Sequence, residues 1–116
     1  MKIGFTAKGT GWDASIDPRF GRAKYLLVYD ESADELTAAD NSANSKQSHG
    51  AGPGTAKKLF ELETDILITG NGPGENAAAI LQKAGIIVYA GAVNLNIREA
   101  YDHYIKNELK QFKLTK

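Results

Sequence analysis

The segment Asp65–Asn76, which reads Asp-Ile-Leu-Ile-Thr-Gly-Asn-Gly-Pro-Gly-Glu-Asn, constrains the fold more than any other part of the chain. It begins with a short apolar run at Ile66–Ile68, as expected of a strand buried on both faces of a sheet. Glycines and a proline then interrupt the chain before an alanine-rich helical pattern starts near Glu75. Such a loop presents free backbone N–H groups at the carboxyl edge of a sheet, where anions and polar ligands bind. Purely structural strand–helix turns share this pattern, so the loop alone does not decide the function.

The composition of the chain excludes several classes of protein and of binding site. With 116 residues the chain is long enough for one domain with a hydrophobic core and too short for two, so we expect a single domain over residues 1–116. The 14 Lys and Arg residues balance the 14 Asp and Glu residues, which argues against nucleic acid or an anionic membrane surface as the main partner. The count of 0 cysteines excludes disulfides, thiolate zinc sites and clusters held by cysteine. No segment reads as a signal peptide or a membrane span, so we expect a cytoplasmic protein.

The first half of the chain predicts three strands and two long loops. The strands are expected at Lys2–Ala7, Tyr25–Tyr29 and Leu36–Asp40, the last two joined by a short polar turn that favours an antiparallel hairpin. The glycine-containing stretch from Lys8 to Arg22 is long for a connection, and long ordered loops are often functional or mobile. A second loop, rich in Gly and Asn, runs from Asn41 to Gly54.

The second half predicts three helices and two buried strands. Apolar residues at helical spacing predict a helix over Thr55–Glu63, with Ala56, Leu59 and Phe60 on its apolar stripe, and a second helix that ends at Gly85. Further elements are a strand at Ile86–Tyr89, a loop at Gly91–Asn96, a helix at Ile97–Ile105 and a solvated lysine-rich tail from Lys106.

Repeated strand–loop–helix units require right-handed parallel crossovers, so these elements predict a mixed sheet with helices on both faces. If the second strand is the antiparallel one, the loops after strands one, three, four and five all open on one edge of the sheet. Ligands of open α/β sheets bind outside the carboxyl ends of the strands, which makes this rim the predicted site.

Several motifs, in this order along the chain, resemble the dinitrogenase iron–molybdenum cofactor biosynthesis family. They are the run Ile-Asp-Pro-Arg-Phe-Gly-Arg-Ala at 16–23, a tyrosine-rich strand ending in Asp30, His-Gly-Ala-Gly at 49–52, Ile-Thr-Gly-Asn-Gly-Pro-Gly-Glu-Asn-Ala at 68–77, and Ala84-Gly85-Ile86 with Tyr89. The resemblance implies a three-layer α/β/α fold with a ribonuclease H-like motif and a mixed five-stranded sheet in the order 3-2-1-4-5, strand 2 being antiparallel.

The same resemblance implies a non-enzymatic carrier for an iron–sulfur or iron–molybdenum type cofactor, or for a related small anionic ligand. Family members of this kind carry or receive cofactor precursors and are not known for a reaction of their own. Some relatives have a histidine directly before the Phe-Gly-Arg-Ala segment. Arg19 holds that position here, which removes one possible metal ligand.

The candidate ligand-binding residues lie in the predicted rim loops. They are Arg19, Phe20, Gly21, Arg22, His49, Gly50, Gly70, Asn71, Gly72, Gly74 and Asn76. His49 is the candidate metal ligand, because a neutral imidazole ahead of a helix N-terminus can coordinate a metal, although a solvent-exposed loop histidine has the same pattern.

Arg19 and Arg22 can pair with an anion, or Arg22 can hold the long loop through backbone carbonyls. The glycines can present N–H donors or serve tight turns and close packing. His103, between Tyr101 and Tyr104, is expected to be structural or exposed.

Two other functions remain open. A regulatory protein-interaction domain would use the same rim, with Trp12, Phe20 and Tyr25 as anchors if they are exposed. A nuclease would need clustered carboxylates for two metal ions, and Asp13, Asp17 and Asp30 are the candidates, but Asp30 is expected at the opposite edge of the sheet. The sequence contains neither a P-loop nor a good dinucleotide fingerprint, and no nucleophile–base pattern indicates an enzyme.

Overall fold

The computed structural model describes residues 1–114 and contains one six-stranded mixed sheet in the order β3-β2-β1-β4-β5-β6. Strand β2 runs antiparallel to β1 and β3, β4 runs parallel to β1 and β5, and β6 runs antiparallel to β5. The strands are β1 (Lys2–Ala7), β2 (Tyr25–Asp30), β3 (Glu35–Asp40), β4 (Ile66–Ile68), β5 (Ile87–Ala90) and β6 (Lys110–Phe112).

Four α-helices and a single 3-10 turn at Phe20–Arg22 complete the fold. The helices are α1 (Ser42–Ser45), α2 (Ala51–Glu61), α3 (Glu75–Lys83) and α4 (Ile97–Ile105). The three-layer α/β prediction is confirmed, together with the order of its five predicted strands and the antiparallel second strand.

Strand alternation divides the core into two halves. One half fills the space between the sheet and α4, and includes Ile3, Phe5, Ile68, Ile97 and Ala100. The other half fills the space between the sheet and the α2/α3 layer, and includes Leu26, Leu67, Val88, Leu59 and Leu81. Consecutive residues Leu67 and Ile68 of the central strand therefore serve opposite halves, which explains why β4 is apolar at every position.

The prediction of a solvated tail from Lys106 is wrong in part, because β6 pairs with β5. Phe112 stands opposite Val88 and packs with the α2/α3 half of the core. Its ring also lies directly against the backbone of Gly72, where a Cβ atom would overlap it. A three-residue strand carries too little periodicity to stand out among lysines, so the sequence pattern did not indicate it.

Helix α2 begins at Ala51, earlier than the predicted Thr55. Gly50 precedes it with a φ of 82°, and the N–H of Gly54 already donates to the carbonyl of Gly50 at 2.9 Å. Pro53 is tolerated because residues in a first helical turn need no intrahelical N–H donor. The predicted apolar stripe also fails at Phe60, which is 59% exposed.

Two predicted helix boundaries are confirmed. Gly85 follows the end of α3 with a φ of 74°, a backbone conformation that favours glycine. At the start of α4 the Asn96 side chain accepts from the Glu99 N–H at 2.8 Å, and the Glu99 carboxylate accepts from the Asn96 N–H at 2.9 Å. This reciprocal capping box satisfies the N-terminus of α4 with its own side chains.

The contact between Phe112 and Gly72 predicts a non-additive pair of substitutions. Gly72→Ala is expected to lower the free energy of unfolding by about 1 to 3 kcal/mol, because the added methyl group overlaps the ring. In a Phe112→Ala background the same substitution is expected to cost little, since the ring is gone. Urea unfolding of the wild type, both single variants and the double variant measures the coupling, and additive free energies would contradict the contact.

Candidate functional site

The loops predicted to share one rim are joined there by main-chain hydrogen bonds. The N–H of Asn71 donates to the carbonyl of Pro18 at 2.9 Å, which ties the loop after β4 to the loop after β1. The N–H of Gly91 donates to the carbonyl of Gly70 at 2.8 Å, which adds the loop after β5. The long loop 8–24 is held along its length as well, and the N–H of Ile16 donates to the carbonyl of Leu95 at 2.9 Å. The rim is therefore a bonded assembly of loops.

Two of the candidate glycines allow backbones to approach closely. A Cβ atom on Gly70 would lie 2.6 Å from the Cα of Pro18, and one on Gly21 would lie 2.8 Å from the backbone N of Gly52. Real Cβ atoms do not approach other atoms so closely, so both positions need glycine for packing. Gly21 thereby brings the 3-10 turn against the beginning of α2.

The first turns of α2 and α3 lie close together at this rim. A Cβ atom on Gly52 would lie 3.5 Å from the Cβ of Ala77, an ordinary van der Waals contact. Neither helix has a side-chain hydrogen bond at its N-cap, which is Gly50 for α2 and Gly74 for α3. The first N–H groups of a helix have no partner within it, and the helix dipole adds partial positive charge there. Two such ends close together favour a negatively charged ligand.

The first turn of α3 also contains the carboxylate of Glu75. A bound anion therefore shares this helix end with a negative side chain. Helix α4 also begins at the rim. Unlike α2 and α3, it has a capping box, in which the Asn96 and Glu99 side chains accept hydrogen bonds from backbone N–H groups at its N-terminus. Of the helices α2, α3 and α4, only α4 therefore has its N-terminus capped by side chains.

A buried polar group lies beneath the rim. The Thr6 hydroxyl donates to the carbonyl of Asp17 at 2.9 Å and lies 2.8 Å from the hydroxyl of Thr69 on the neighbouring strand. The Asp17 side chain is only 3% exposed and pairs with Arg19, with 3.3 Å between Nε and Oδ1. The Arg19 backbone N–H also donates to Asp17 Oδ1, at 2.9 Å. Arg19 therefore compensates a buried carboxylate while most of its own side chain stays in solvent.

Arg22 links two rim loops. Its Nη1 donates to the carbonyl of Ser45 at 2.8 Å and to that of Gln47 at 2.6 Å. These are the backbone contacts proposed from the sequence as one of two roles for this arginine. Within residues 1–114 both hydrogen bonds of the guanidinium use Nη1, so Nε and Nη2 of this exposed side chain can still face an anion.

His49 is exposed and directly precedes Gly50 at the beginning of α2. Within the described residues no group of three or more His, Cys, Asp or Glu side chains could hold a metal ion. The role of His49 as a metal ligand stays a prediction.

The prediction that Phe20 anchors a partner required an exposed side chain, but this side chain is 4% exposed and packs in the α2/α3 half of the core. Its place among the candidate ligand-binding residues stays a prediction. The other proposed anchors, Trp12 and Tyr25, are half-buried. Asn71 and Asn76 are exposed on the rim, whereas Gly72 lies under the Phe112 ring.

The carboxylates considered for a nuclease do not come together. Asp30 stands opposite Lys2 at the far edge of the sheet, as expected from the antiparallel second strand. Asp17 is buried at the rim and paired with Arg19, while Asp13 is exposed. The stretch Lys8–Arg22, for which the sequence left function or mobility open, is held by backbone hydrogen bonds to Leu95, Ile97 and Arg98.

A family model described as "Dinitrogenase iron-molybdenum cofactor" matches residues 1–107. The chain belongs to the dinitrogenase iron-molybdenum cofactor family. The resemblance inferred from the rim motifs is confirmed, and β6 lies beyond the matched region.

Solved structures agree with this membership. The apo form of the orange protein from Desulfovibrio gigas is 35% identical, with a TM-score of 0.90 over 96% of this chain and 92% of that protein. A Thermotoga protein given the provisional name NifB and placed in the DUF35 family is 26% identical, with a TM-score of 0.79 over 95% of this chain and 91% of that protein. No curated protein matches the chain. Among the described residues, no helix has the length and apolar character needed to cross a membrane.

The sequence did not indicate that α2 begins at Ala51 or that Gly52 lies close to Ala77 of α3. These residues have side chains too small to suggest a function. The available signal was the run Gly-Ala-Gly-Pro-Gly at 50–54, which reads as a loop but can also form a first helical turn with proline inside it.

The contacts of Arg22 predict its structural role. Arg22→Ala is expected to increase amide hydrogen exchange in residues 41–50, because two carbonyl contacts that hold this segment are lost. Arg19→Ala is the matched control, since Arg19 bonds to Asp17 in its own loop. Equal exchange in the two variants would contradict the role of Arg22 in holding the loop.

Proposed function

We propose that the chain is a non-enzymatic carrier for an anionic metal–sulfur cofactor of the iron–sulfur or iron–molybdenum type. The observation that carries this proposal is the proximity of the first turns of α2 and α3, both without a side-chain cap. The free N–H groups of two adjacent helices offer a concentrated set of donors to a negative ligand. The family description supports the class of ligand.

The proposed mode of binding is non-covalent. The chain has 0 cysteines, and its described residues contain no group of three metal-binding side chains. A cofactor that keeps its own sulfur ligands needs only charge compensation and hydrogen-bond donors from the protein. Main-chain N–H groups supply the donors, and Arg19 and Arg22 supply positive charge at the edge of the site.

One relative supports a removable ligand. The Desulfovibrio gigas protein is named the orange protein, and its solved structure is described as the apo form. Side chains and backbone do not absorb visible light, which makes a coloured ligand the natural source of such a name. A ligand held without covalent bonds to the chain can be transferred intact, as carrier function requires.

Substitutions at Gly74 separate the effect of an N-cap side chain on stability from the effect of its charge on ligand binding. Gly74 has extended backbone (φ −70°, ψ 175°), and a Cβ atom there meets nothing within 4 Å, so both Asp and Asn fit as N-caps of α3. Both substitutions are expected to raise the free energy of unfolding by a few tenths of a kcal/mol, on the order of the difference between Gly and Asp caps. The added side chains differ only in charge.

Tetrathiomolybdate, a coloured molybdenum–sulfur dianion, is the probe. Gly74→Asp is expected to raise its dissociation constant on the order of tenfold over Gly74→Asn, because a unit charge at about 4 Å changes an interaction by about 1 to 4 kcal/mol near a surface. Equilibrium dialysis with molybdenum analysis measures both. Equal affinities would place the anion elsewhere, and no binding by the wild type would contradict the carrier proposal.

His49→Ala tests the metal-ligand prediction separately. We expect it to weaken tetrathiomolybdate binding less than Gly74→Asp does, because the imidazole is exposed and main-chain donors hold the anion. The visible spectrum of the bound probe reports on the metal coordination. Complete loss of binding, or a changed spectrum with binding retained, would show instead that His49 coordinates the metal.

A further inference from the structure

Five aromatic rings form a continuous row on the α4 face of the sheet, away from α2 and α3. Successive ring centroids are separated by 4.9, 5.2, 6.3 and 5.2 Å along Trp12, Tyr29, Tyr101, Tyr104 and Tyr89. A further contact of 6.1 Å joins Trp12 directly to Tyr101. Each ring therefore touches the next by edge-to-face or tilted packing.

The row contains only tryptophan and tyrosine side chains. It holds the single tryptophan and four of the five tyrosines of the chain, whereas no ring pair within residues 1–114 involves any of the 4 phenylalanines. For packing alone, phenylalanine would serve equally well. Tryptophan and tyrosine differ from phenylalanine in that they can lose one electron at potentials accessible to biological oxidants.

Two tyrosines of the row have a carboxylate placed to accept the phenolic proton. The Tyr101 hydroxyl donates to Glu31 Oε2 at 2.6 Å, and the Tyr29 hydroxyl donates to Asp34 Oδ1 at 2.7 Å. Burial, followed by the bond to Glu31, raises the pKa of Tyr101, so the phenol stays protonated at neutral pH. A phenol that loses an electron becomes a strong acid, and a hydrogen-bonded carboxylate lets the proton leave at the same time.

The positive charge of Arg98 favours an oxidised tyrosine over an oxidised Trp12 within the row. The Arg98 guanidinium lies over the Trp12 ring, 5.0 Å from its centroid. Positive charge at this distance disfavours an indole radical cation. An oxidised Trp12 therefore tends to take an electron from Tyr29 or Tyr101, whose radicals are neutral once the proton has moved.

We propose that this aromatic row is a one-electron relay. An oxidising oxygen-centred radical of the carbonate radical class takes an electron from Trp12 and becomes the carbonate anion, and Tyr101 or Tyr29 then returns an electron to the indole. The phenolic proton moves to Glu31 or Asp34. The products are the reduced oxidant, intact Trp12, a neutral tyrosyl radical and a protonated carboxylic acid. A hydrogen-atom donor of the thiol class restores the tyrosine, and the carboxylic acid then releases its proton to water.

The row connects two ends of the molecule. The backbone carbonyl of Tyr89 accepts from the N–H of Thr69 at 3.0 Å, at the beginning of the glycine loop of the rim. Asp34 lies in the β2–β3 turn, at the opposite edge of the sheet. The relay thus offers a path for oxidising equivalents between the rim and the far edge. It does not depend on a bound cofactor.

The experiment is laser-flash oxidation of the ligand-free protein. A photoexcited ruthenium(II) tris-bipyridine complex, with a cobalt(III) ammine as electron acceptor, generates the oxidant, and transient absorption follows indole and tyrosyl radicals. Since the chain has 1 tryptophan, the indole signal reports on Trp12 alone. In the wild type we expect the indole radical to decay as a tyrosyl radical forms.

Variants test which tyrosines supply the electron and which carboxylates accept the proton. Tyr29→Phe with Tyr101→Phe is expected to lengthen the lifetime of the indole radical several-fold, whereas Tyr25→Phe, which lies outside the row, leaves it unchanged. Glu31→Gln with Asp34→Asn keeps every ring but removes the carboxylates, so water must accept the phenolic proton, and we expect tyrosyl formation to slow several-fold and its solvent deuterium isotope effect to change. Unchanged indole decay in both double variants, or equal slowing by Tyr25→Phe, would overturn the relay. The second double variant decides the matter if the first does not fold.

Discussion

The close approach of glycine backbones at the carboxyl edge of the sheet is the constraint on which the rest of the site depends. Gly70 lies against Pro18, and Gly21 lies against the first turn of α2, at distances that any other side chain would prevent. These contacts bring loops that are far apart in sequence into one bonded rim. They also fix the beginnings of α2 and α3 side by side before any ligand arrives. A site organised in advance loses little conformational entropy on binding, which strengthens an interaction built only from weak donors.

The layers of this fold could be predicted because several elements carry strong local signals. The wholly apolar run Ile66–Ile68, the helical spacing over Ile97–Ile105 and the helix stop at Gly85 are the clearest of them. Short or irregular elements could not be predicted. Strand β6 is stabilised by tertiary contacts of Phe112 with Val88 and Gly72, not by local propensity.

The candidate site was predictable in position but not in the arrangement of its donors. Sequence reasoning correctly placed the loops at one rim, and it named polar and glycine residues because side chains are what a sequence displays. The structure assigns Phe20 to the core and gives Arg22 a loop-holding contact. The proposed anion donors are main-chain groups of the first turns of α2 and α3, and the sequence indicated glycine N–H donors in the loops but not that these two turns lie side by side. Their value comes from the packing of two helices, which only the folded chain shows.

In the proposed mode of binding, the first turns of α2 and α3 hold an anionic metal–sulfur ligand without coordination by the protein. Anomalous diffraction at the molybdenum edge from crystals grown with tetrathiomolybdate shows where the metal lies and which atoms coordinate it. We expect a molybdenum peak beside the first turns of α2 and α3, with all sulfur ligands retained. A peak on the α4 face, or one bonded directly to a side chain such as His49, would contradict it.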